Sequence, residues 1–303
     1  MNASSIEWCD ITWNFTTGCE IDDVDCVHCY AMRQAARFAG EGQVNEGLIR
    51  FGKKGAVWSG KVGHRPHKLT EPIRRRTPAY IFVDSMSDPL HKHQPDDVID
   101  QMTAVMHLCP HHTFIVLTKR WDRLLRYLHM PTLYDRVLRH AERLRHRYPH
   151  LSTVGIADPA AHPAKWIWWG ISAGNQATYD KRIRGVLGLP EGAIGVLSLE
   201  PLIGPIDIAP ALATGKVRWV IAGAESGPGR RPCHVDWLRR IRDACVVADV
   251  PFFLKQWVGE PPDGIAGRSA YDPRRPKISL PLLDGHAWTQ RPQLWTPPFT
   301  TRT

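Results

Sequence analysis

The chain has 303 residues, 43% of them hydrophobic and 23% charged, a composition typical of a soluble globular protein with room for one large α/β domain or two ordinary ones. No apolar run approaches the roughly 20 residues that span a bilayer, and residues 1–7 lack the basic and apolar regions of a signal peptide, so we expect a cytoplasmic protein without membrane contact. The net charge of +9 favours a polyanionic partner such as a nucleic acid or a nucleotide.

The first informative segment carries three of the seven cysteines within residues 16–31. Cys19, Cys26 and Cys29 have the spacing C-x6-C-x2-C and follow a short strand-like segment, residues 11–14. Thiolates grouped this closely indicate a metal site. A four-iron cluster is usually held by four cysteines, so three would leave one iron free for another ligand.

Zinc is the alternative metal, because structural zinc sites are closed by four Cys or His ligands. Here His28 or Cys9 would complete the set. The remaining cysteines, Cys109, Cys233 and Cys245, have no metal-like spacing and are expected to be core or helix residues. An odd number of cysteines with three clustered argues against a disulfide framework and for a reducing compartment.

The rest of the chain alternates between strand and helix patterns. Residues 31–38 have helical composition, and residues 43–78, rich in Gly, Lys, Arg and Pro, predict an irregular excursion. Seven apolar segments predict buried strands, at residues 11–14, 79–83, 113–117, 165–171, 193–199, 217–222 and 251–254. Continuous apolar strands separated by helices indicate a parallel sheet covered on both faces. The expected fold is therefore a parallel (β/α) TIM-like barrel, complete or partial.

Polar side chains follow every predicted strand, where parallel barrels place their chemistry. Besides the cysteines, these residues are Ser85, Ser87, Asp88, Lys119, Asn175, Glu200, Glu225 and Lys255. Their convergence predicts a catalytic funnel independently of the cysteines, with Glu200, Glu225 and Lys255 as catalytic candidates and Ser85, Ser87, Asp88, Lys119, Asn175 and Glu200 as cofactor-binding candidates.

Several of these residues also have a structural alternative. Glu200 is costly to bury alone, so it suits either a ribose hydroxyl or a paired lysine. Lys119 and Lys255 suit a cofactor carboxylate or a substrate phosphate, but equally an ion pair with Glu200 or Glu225. Asp88 would serve as well as a cap in a strand-to-helix turn.

Basic residues are concentrated between residues 119 and 147, where nine lysines and arginines stand against three acidic residues. Such a segment is either the solvated face of a helix or a contact surface for nucleic acid or phosphate. The sequence alone leaves both interpretations open.

Six segments together resemble the phage-associated three-cysteine-motif proteins, a family of unassigned reaction that is similar to the radical S-adenosylmethionine superfamily. These segments are residues 18–31, 85–88, 116–120, 197–202, 223–229 and 253–257, and the resemblance extends from about residue 6 to about residue 288. The superfamily's usual spacing is C-x3-C-x2-C, and an aromatic residue often stands where this chain has His28.

This resemblance implies a partial barrel with a [4Fe-4S] cluster on Cys19, Cys26 and Cys29. S-adenosylmethionine would chelate the open iron, and Ser85, Ser87 and Asp88 would lie near its amino group. One-electron reduction by a flavodoxin-type or ferredoxin-type donor would then yield a 5′-deoxyadenosyl radical that abstracts hydrogen from the substrate. A neighbouring partner protein is a further expectation.

We therefore expect a radical S-adenosylmethionine-like enzyme acting on a nucleic acid or nucleotide, in modification or in repair similar to that of spore photoproduct lyase. The alternatives are a non-catalytic nucleic-acid-binding protein with structural zinc, or a zinc-dependent hydrolase with His28 or Glu225 as the base. The barrel domain is assigned to residues 1–258. Residues 259–303 form a Pro-rich extension, with a small hairpin at 282–288 and disorder over the last fifteen residues.

Overall fold

A mixed sheet of nine strands organises the computed structural model, which describes residues 2–52, 55–157, 164–267 and 271–294. Seven strands are parallel and lie side by side in chain order. They are β1 (Ile11–Trp13), β2 (Tyr80–Val83), β3 (Thr113–Thr118), β4 (Ile167–Ser172), β5 (Ile194–Leu199), β6 (Val217–Gly223) and β7 (Phe252–Val258). The predicted parallel α/β architecture is thus confirmed.

Helices alternate with these strands as the pattern predicted. Over the described residues they are Tyr30–Ala36, Glu71–Arg74, Asp96–Leu108, Trp121–Leu128, Leu133–Arg147, Val154–Ala157, Gln176–Arg182, Arg184–Leu187, Ala209–Leu212 and Val235–Val247, with short 3-10 turns at Val24–Cys26 and Pro66–Lys68. None of the described helices has the length and apolar content needed to cross a membrane.

The inner face of the sheet is filled by large side chains at every second position, as strand geometry requires. Trp219 of β6 is fully buried there, and its ring meets those of Trp8, Tyr80, Trp168 and Phe253 at centroid separations of 5.9 to 6.4 Å. Because β2 and β6 lie four positions apart in the sheet, the Tyr80–Trp219 contact requires a strongly curled sheet. A separate and larger apolar cluster lies between the outer face and the helices.

The barrel stays open between β1 and β7. Over the described residues β1 and β7 do not pair with each other, and each instead takes a short antiparallel neighbour, Asn2–Ala3 and Lys277–Ser279 respectively. Side chains span the gap: Lys277 Nζ lies 2.8 Å from Glu7 Oε1, and Arg291 Nη1 lies 3.2 Å from Asp10 Oδ1. Of the two architectures predicted, the partial barrel is therefore the one observed.

The C-terminal extension lies along β7. Its hairpin is confirmed, with Leu282–Leu283 paired to His286–Ala287. Trp288 and Gln290 lie beside β7: Leu254 N donates to Trp288 O, and Gln290 N donates to Phe252 O. These bonds cover the free edge of β7, which would otherwise expose unpaired peptide groups. Residues 295–303 lie outside the described part of the chain.

The excursion at 43–78 is more regular than predicted. It contains a hairpin, Ile49–Gly52 paired with Gly55–Trp58, and a short strand, Gly63–His64, paired with Thr16–Thr17. Trp58 is buried against the helix that follows the cysteines. The excursion therefore supplies one wall of the region around the cysteines.

Candidate active site

A cavity of about 200 Å³ opens at the carboxyl ends of the parallel strands. Positions that face inward alternate along each strand, so the apolar interior continues upward into polar side chains: Phe82 is followed by Asp84, and Leu117 by Lys119. Ten of the predicted site residues line this cavity: Cys19, Cys26, Cys29, Ser85, Ser87, Asp88, Lys119, Glu200, Glu225 and Lys255.

All three clustered cysteines are free thiols on the cavity wall. Cys26 ends a 3-10 turn, and Cys29 directly precedes the helix Tyr30–Ala36. Burial raises the pKa of Cys19 to about 12, so without a metal this thiol keeps its proton. Metal binding would release this proton, because a cysteine binds a metal as the thiolate.

The three thiols line the same cavity, and the two candidate metal centres would use them differently. Within the described ranges, no three His, Cys, Asp or Glu side chains are placed to hold one metal ion. A tetrahedral zinc needs its sulfur ligands about 2.3 Å from one centre, whereas the cysteines of a four-iron cluster each bind a different iron. Three thiols therefore suit a cluster with one open iron, whereas a closed zinc site would need a fourth protein ligand.

A buried arginine that the sequence did not point to holds the segment between Cys19 and Cys26. Arg182, at the end of the helix Gln176–Arg182, donates to both oxygens of Asp25 at 2.6 and 3.3 Å and to Asp22 Oδ2 at 2.8 Å. Lys119 Nζ lies 4.0 Å from the same Asp25 carboxylate. Burial opposes the charge on Lys119, but Asp25 and Cys26 together hold the pKa of its amine above the usual value.

Asp88 joins strands β2 and β3 at the top of the sheet. Its carboxylate accepts hydrogen bonds from Leu90 N, Thr118 Oγ1, Lys119 N and Arg120 Nη1, at 3.0, 2.8, 3.2 and 3.1 Å. These four donors satisfy its lone pairs. Asp88 therefore makes the contacts of a capping carboxylate in the turn after β2, which was its predicted structural alternative. Its oxygens have little remaining capacity to accept a hydrogen bond from a cofactor amine.

Ser85 and Ser87 are tied to the segment before the cysteines. Ser85 Oγ donates to Asn14 Oδ1 at 3.1 Å, and Ser87 Oγ donates to Thr16 O at 3.0 Å. Asp84 accepts from both Thr16 N and Thr16 Oγ1 at 2.8 Å, and its burial raises its pKa to about 7. This part of the wall is fixed by hydrogen bonds between β2 and the segment that follows β1.

Glu200 and Lys255 form the predicted ion pair across the cavity. Lys255 Nζ lies 3.2 Å from Glu200 Oε1 and 3.5 Å from Oε2, and its hydrogen bond goes to Oε2. Over the described residues, Oε1 is buried and accepts no hydrogen bond. A Cβ on Gly223 would lie 2.8 Å from that oxygen, so a larger residue there would displace the end of the Glu200 side chain. Oε1 is thus paired with Lys255 by charge but lacks an aligned hydrogen-bond donor.

Glu225 is held by Arg231 and His28. Arg231 contacts both of its oxygens, at 2.5 and 3.0 Å, and His28 Nδ1 lies 3.0 Å from Oε2. Burial opposes ionisation, but the hydrogen bonds from Arg231 and His28 outweigh it and lower the pKa of Glu225 to about 2. A carboxylate this acidic is a weak general base near neutral pH.

Asn175 is not among the described residues that line the cavity. It is the N-cap of the helix Gln176–Arg182: its Oδ1 accepts from Thr178 N at 3.0 Å, and Thr178 Oγ1 accepts from Asn175 N at 3.2 Å. Its placement at a strand end thus reflects helix capping, and we assign it no cofactor contact.

Comparisons with known proteins give one family match and two structural likenesses. The family described as "Protein of unknown function (DUF5131)" matches residues 3–292. No curated protein matches the chain.

Both solved structures are of spore photoproduct lyase. The one complexed with dinucleoside spore photoproduct shows 9% identity over 73% of this chain and 57% of that chain, with a TM-score of 0.37. The other, a cysteine-to-serine mutant of that enzyme, shows 10% identity over 92% of this chain and 70% of that chain, with a TM-score of 0.41. At these TM-scores neither likeness supports a statement about function.

Proposed function

The chain belongs to the DUF5131 family, and we propose that it is an iron–sulfur enzyme of the radical S-adenosylmethionine type. The observation that carries the proposal is the meeting of three free cysteines and a set of inward-facing polar side chains in one cavity at the carboxyl ends of parallel strands. Cys19, Cys26 and Cys29 would hold a [4Fe-4S] cluster with one iron left open.

The remaining polar groups fit S-adenosylmethionine. Lys119 lies on the cavity wall with its amine held in the charged form, which suits the carboxylate of the methionine moiety. Glu200 Oε1 suits a ribose hydroxyl, because it pairs with Lys255 by charge at 3.2 Å but has no aligned hydrogen-bond donor. When bound, the cluster and the cofactor would supply one-electron reductive cleavage and a 5′-deoxyadenosyl radical, the electron coming from a flavodoxin-type or ferredoxin-type donor.

The lower cavity would protect such chemistry from water. Its wall is made by Ile6, Trp8, Phe82 and Leu117, which are apolar and mostly buried. An apolar enclosure that excludes solvent suppresses side reactions of a reactive species. These residues would orient and shield the substrate, while the polar groups above them bind the cofactor.

We further propose a nucleic acid or nucleotide as the substrate, in modification or repair. The support is electrostatic: the net charge is +9, and the outer helix Leu133–Arg147 carries four exposed arginines, Arg139, Arg143, Arg145 and Arg147. A phage context and a neighbouring partner protein belong to the same proposal and rest on the sequence resemblance alone.

The zinc-dependent alternatives fit less well. A zinc hydrolase needs a base near an open zinc. Of the two candidate bases, Glu225 is fixed in an ion pair with Arg231 that lowers its pKa to about 2, and His28 Nδ1 is engaged with Glu225 at 3.0 Å. A closed zinc site needs a fourth protein ligand beside the three cysteines, and His28, the candidate nearest in sequence, is engaged with Glu225 at 3.0 Å.

Anaerobic reconstitution with iron and sulfide tests the proposal. We expect a brown protein with about four irons per chain and a reduced-cluster signal in electron paramagnetic resonance. Cys26→Ala should lose that signal, and Cys245→Ala, a buried cysteine on the helix Val235–Val247, should keep it. A colourless protein with about one tightly held zinc would refute the proposal and favour the zinc alternatives.

A further inference from the structure

We propose that Arg182 is a positioning residue for the cluster: through Asp22 and Asp25 it fixes the segment between Cys19 and Cys26, so that the thiols already face the cavity before iron binds. We call Arg182, Asp22 and Asp25 the arginine clamp. This inference rests on the proposed function, because it assigns the clamp a role in holding a cluster.

The clamp joins the cysteine segment to strand β4 through one side chain. Arg182 is 0% exposed. Its Nη1 donates to Asp25 Oδ2 at 2.6 Å and to Ser172 O, the last residue of β4, at 2.9 Å. Its Nη2 donates to Asp22 Oδ2 at 2.8 Å. A planar guanidinium that serves two carboxylates and a strand carbonyl fixes the segment in orientation as well as in distance.

The surroundings of Asp25 are shaped to receive it. Asp25 directly precedes Cys26 and is itself buried. A Cβ on Gly174, just beyond β4, would lie 3.0 Å from Asp25 Cβ and 2.7 Å from Pro201 O. Glycine at 174 therefore lets the acidic residue sit against the strand end, and a displacement of Asp25 would be transmitted to the neighbouring Cys26.

Acidic side chains fill much of the gap between the first two cysteines, and each has a cation near it. Besides the clamp, Lys181 Nζ lies 3.2 Å from Asp23 Oδ2, and Lys92 Nζ lies 2.9 Å from Glu20 Oε1. Of these pairs only the Asp25–Arg182 pair is fully buried on both sides. Pairs with an exposed partner contribute little, so among the ion pairs of this segment the clamp is the main one that would hold it.

A plain stability effect must be separated from positioning. Removing Arg182 alone leaves a buried carboxylate without its partner, and this destabilises any protein. The double variant Arg182→Met/Asp25→Asn removes both charges of the Arg182–Asp25 ion pair and still releases the segment. Arg136→Met/Asp100→Asn is the matched control, because Arg136 binds Asp100 through two hydrogen bonds, at 2.9 and 3.1 Å, between two outer helices.

The measurement is the half-life of the reconstituted cluster under an excess of iron chelator, with thermal melting of each variant recorded in parallel. We expect the clamp double variant to lose its cluster at least about tenfold faster than the wild type, the scale on which groups behind metal ligands act. The control double variant should keep the wild-type half-life even if its melting temperature falls as much as that of the clamp double variant.

Two results would overturn the inference. One is a wild-type half-life in the clamp double variant, and the other is equally fast loss in the control variant, which would trace cluster loss to general destabilisation. Failure of the proposed function looks different, because the wild type would then assemble no cluster at all, and the inference would fall with it.

Discussion

The buried carboxyl of Asp84 makes stability depend on pH in an unusual direction. Asp84 lies on the cavity wall, accepts two hydrogen bonds from Thr16, and has a pKa raised by burial to about 7. An unfolded aspartate ionises near pH 3.9. Folding therefore favours the protonated form, so this group's contribution is fully present below the unfolded pKa and is lost as pH rises through about 7.

The size of the effect follows from the two pKa values. Between about pH 5 and about pH 8 the unfolded chain gains about 3 kcal/mol more than the folded chain from ionising this carboxyl. Asp84→Asn keeps the shape and removes the ionisation. We expect its free energy of unfolding, relative to the wild type, to rise by about that amount across the range, as measured by urea unfolding of the metal-free protein.

Glu225→Gln provides the matched control. The pKa of Glu225 is lowered to about 2 by Arg231 and His28 against the effect of burial, so this group is ionised in the folded and the unfolded chain throughout the same range. Glu225→Gln should therefore lower the free energy of unfolding by the same amount at every pH in this range. A stability difference for Asp84→Asn that is equally flat would refute the reasoning from burial.

The remaining predictions concern other parts of the molecule. Burial lowers the pKa of His107 to about 4, so the free energy of unfolding should fall as pH drops below about 6.5, by about 2 kcal/mol at pH 5. His107→Phe should abolish this part of the pH dependence, as measured by urea unfolding at each pH. Trp219→Ala should lower the free energy of unfolding by about 3–5 kcal/mol, because it empties the centre of the inner aromatic cluster; a loss below about 1 kcal/mol in urea unfolding would contradict that packing. Arg143→Gln/Arg147→Gln should reduce the slope of log binding constant against log salt by about 2 for duplex DNA in fluorescence anisotropy, whereas an unchanged slope would leave these arginines as a solvated face.

The strands and the site position followed from local patterns. Short apolar runs between helical segments predicted β2 to β7, and the rule that chemistry gathers at carboxyl strand ends placed Lys119 and Glu200 on the cavity wall. The end of β7 was predicted too early. The strand continues to Val258 because its edge pairs with Lys277–Ser279, and no local sequence pattern indicates that pairing. Lys255 therefore lies within the strand rather than after it.

The arginine clamp shows where sequence reasoning stops. Arg182 and Asp25 are 157 positions apart, and no pattern in either segment indicates that the two residues are in contact. The available signal was the acidic character of the gap between Cys19 and Cys26, since clustered acids beside a buried site need cations. For Asn175 the signal was visible, because an asparagine three residues before Thr178 at a helix start is a capping pattern.

The central claim is that an open iron on the cysteine cluster binds S-adenosylmethionine, and one measurement tests it most directly. The reduced, reconstituted protein is examined by electron paramagnetic resonance with and without the cofactor, and 5′-deoxyadenosine is quantified in the same samples. The proposed function predicts a cluster signal that changes on adding the cofactor, together with 5′-deoxyadenosine release that depends on Cys19, Cys26 and Cys29. A cluster signal that ignores the cofactor, with no 5′-deoxyadenosine formed, would contradict it.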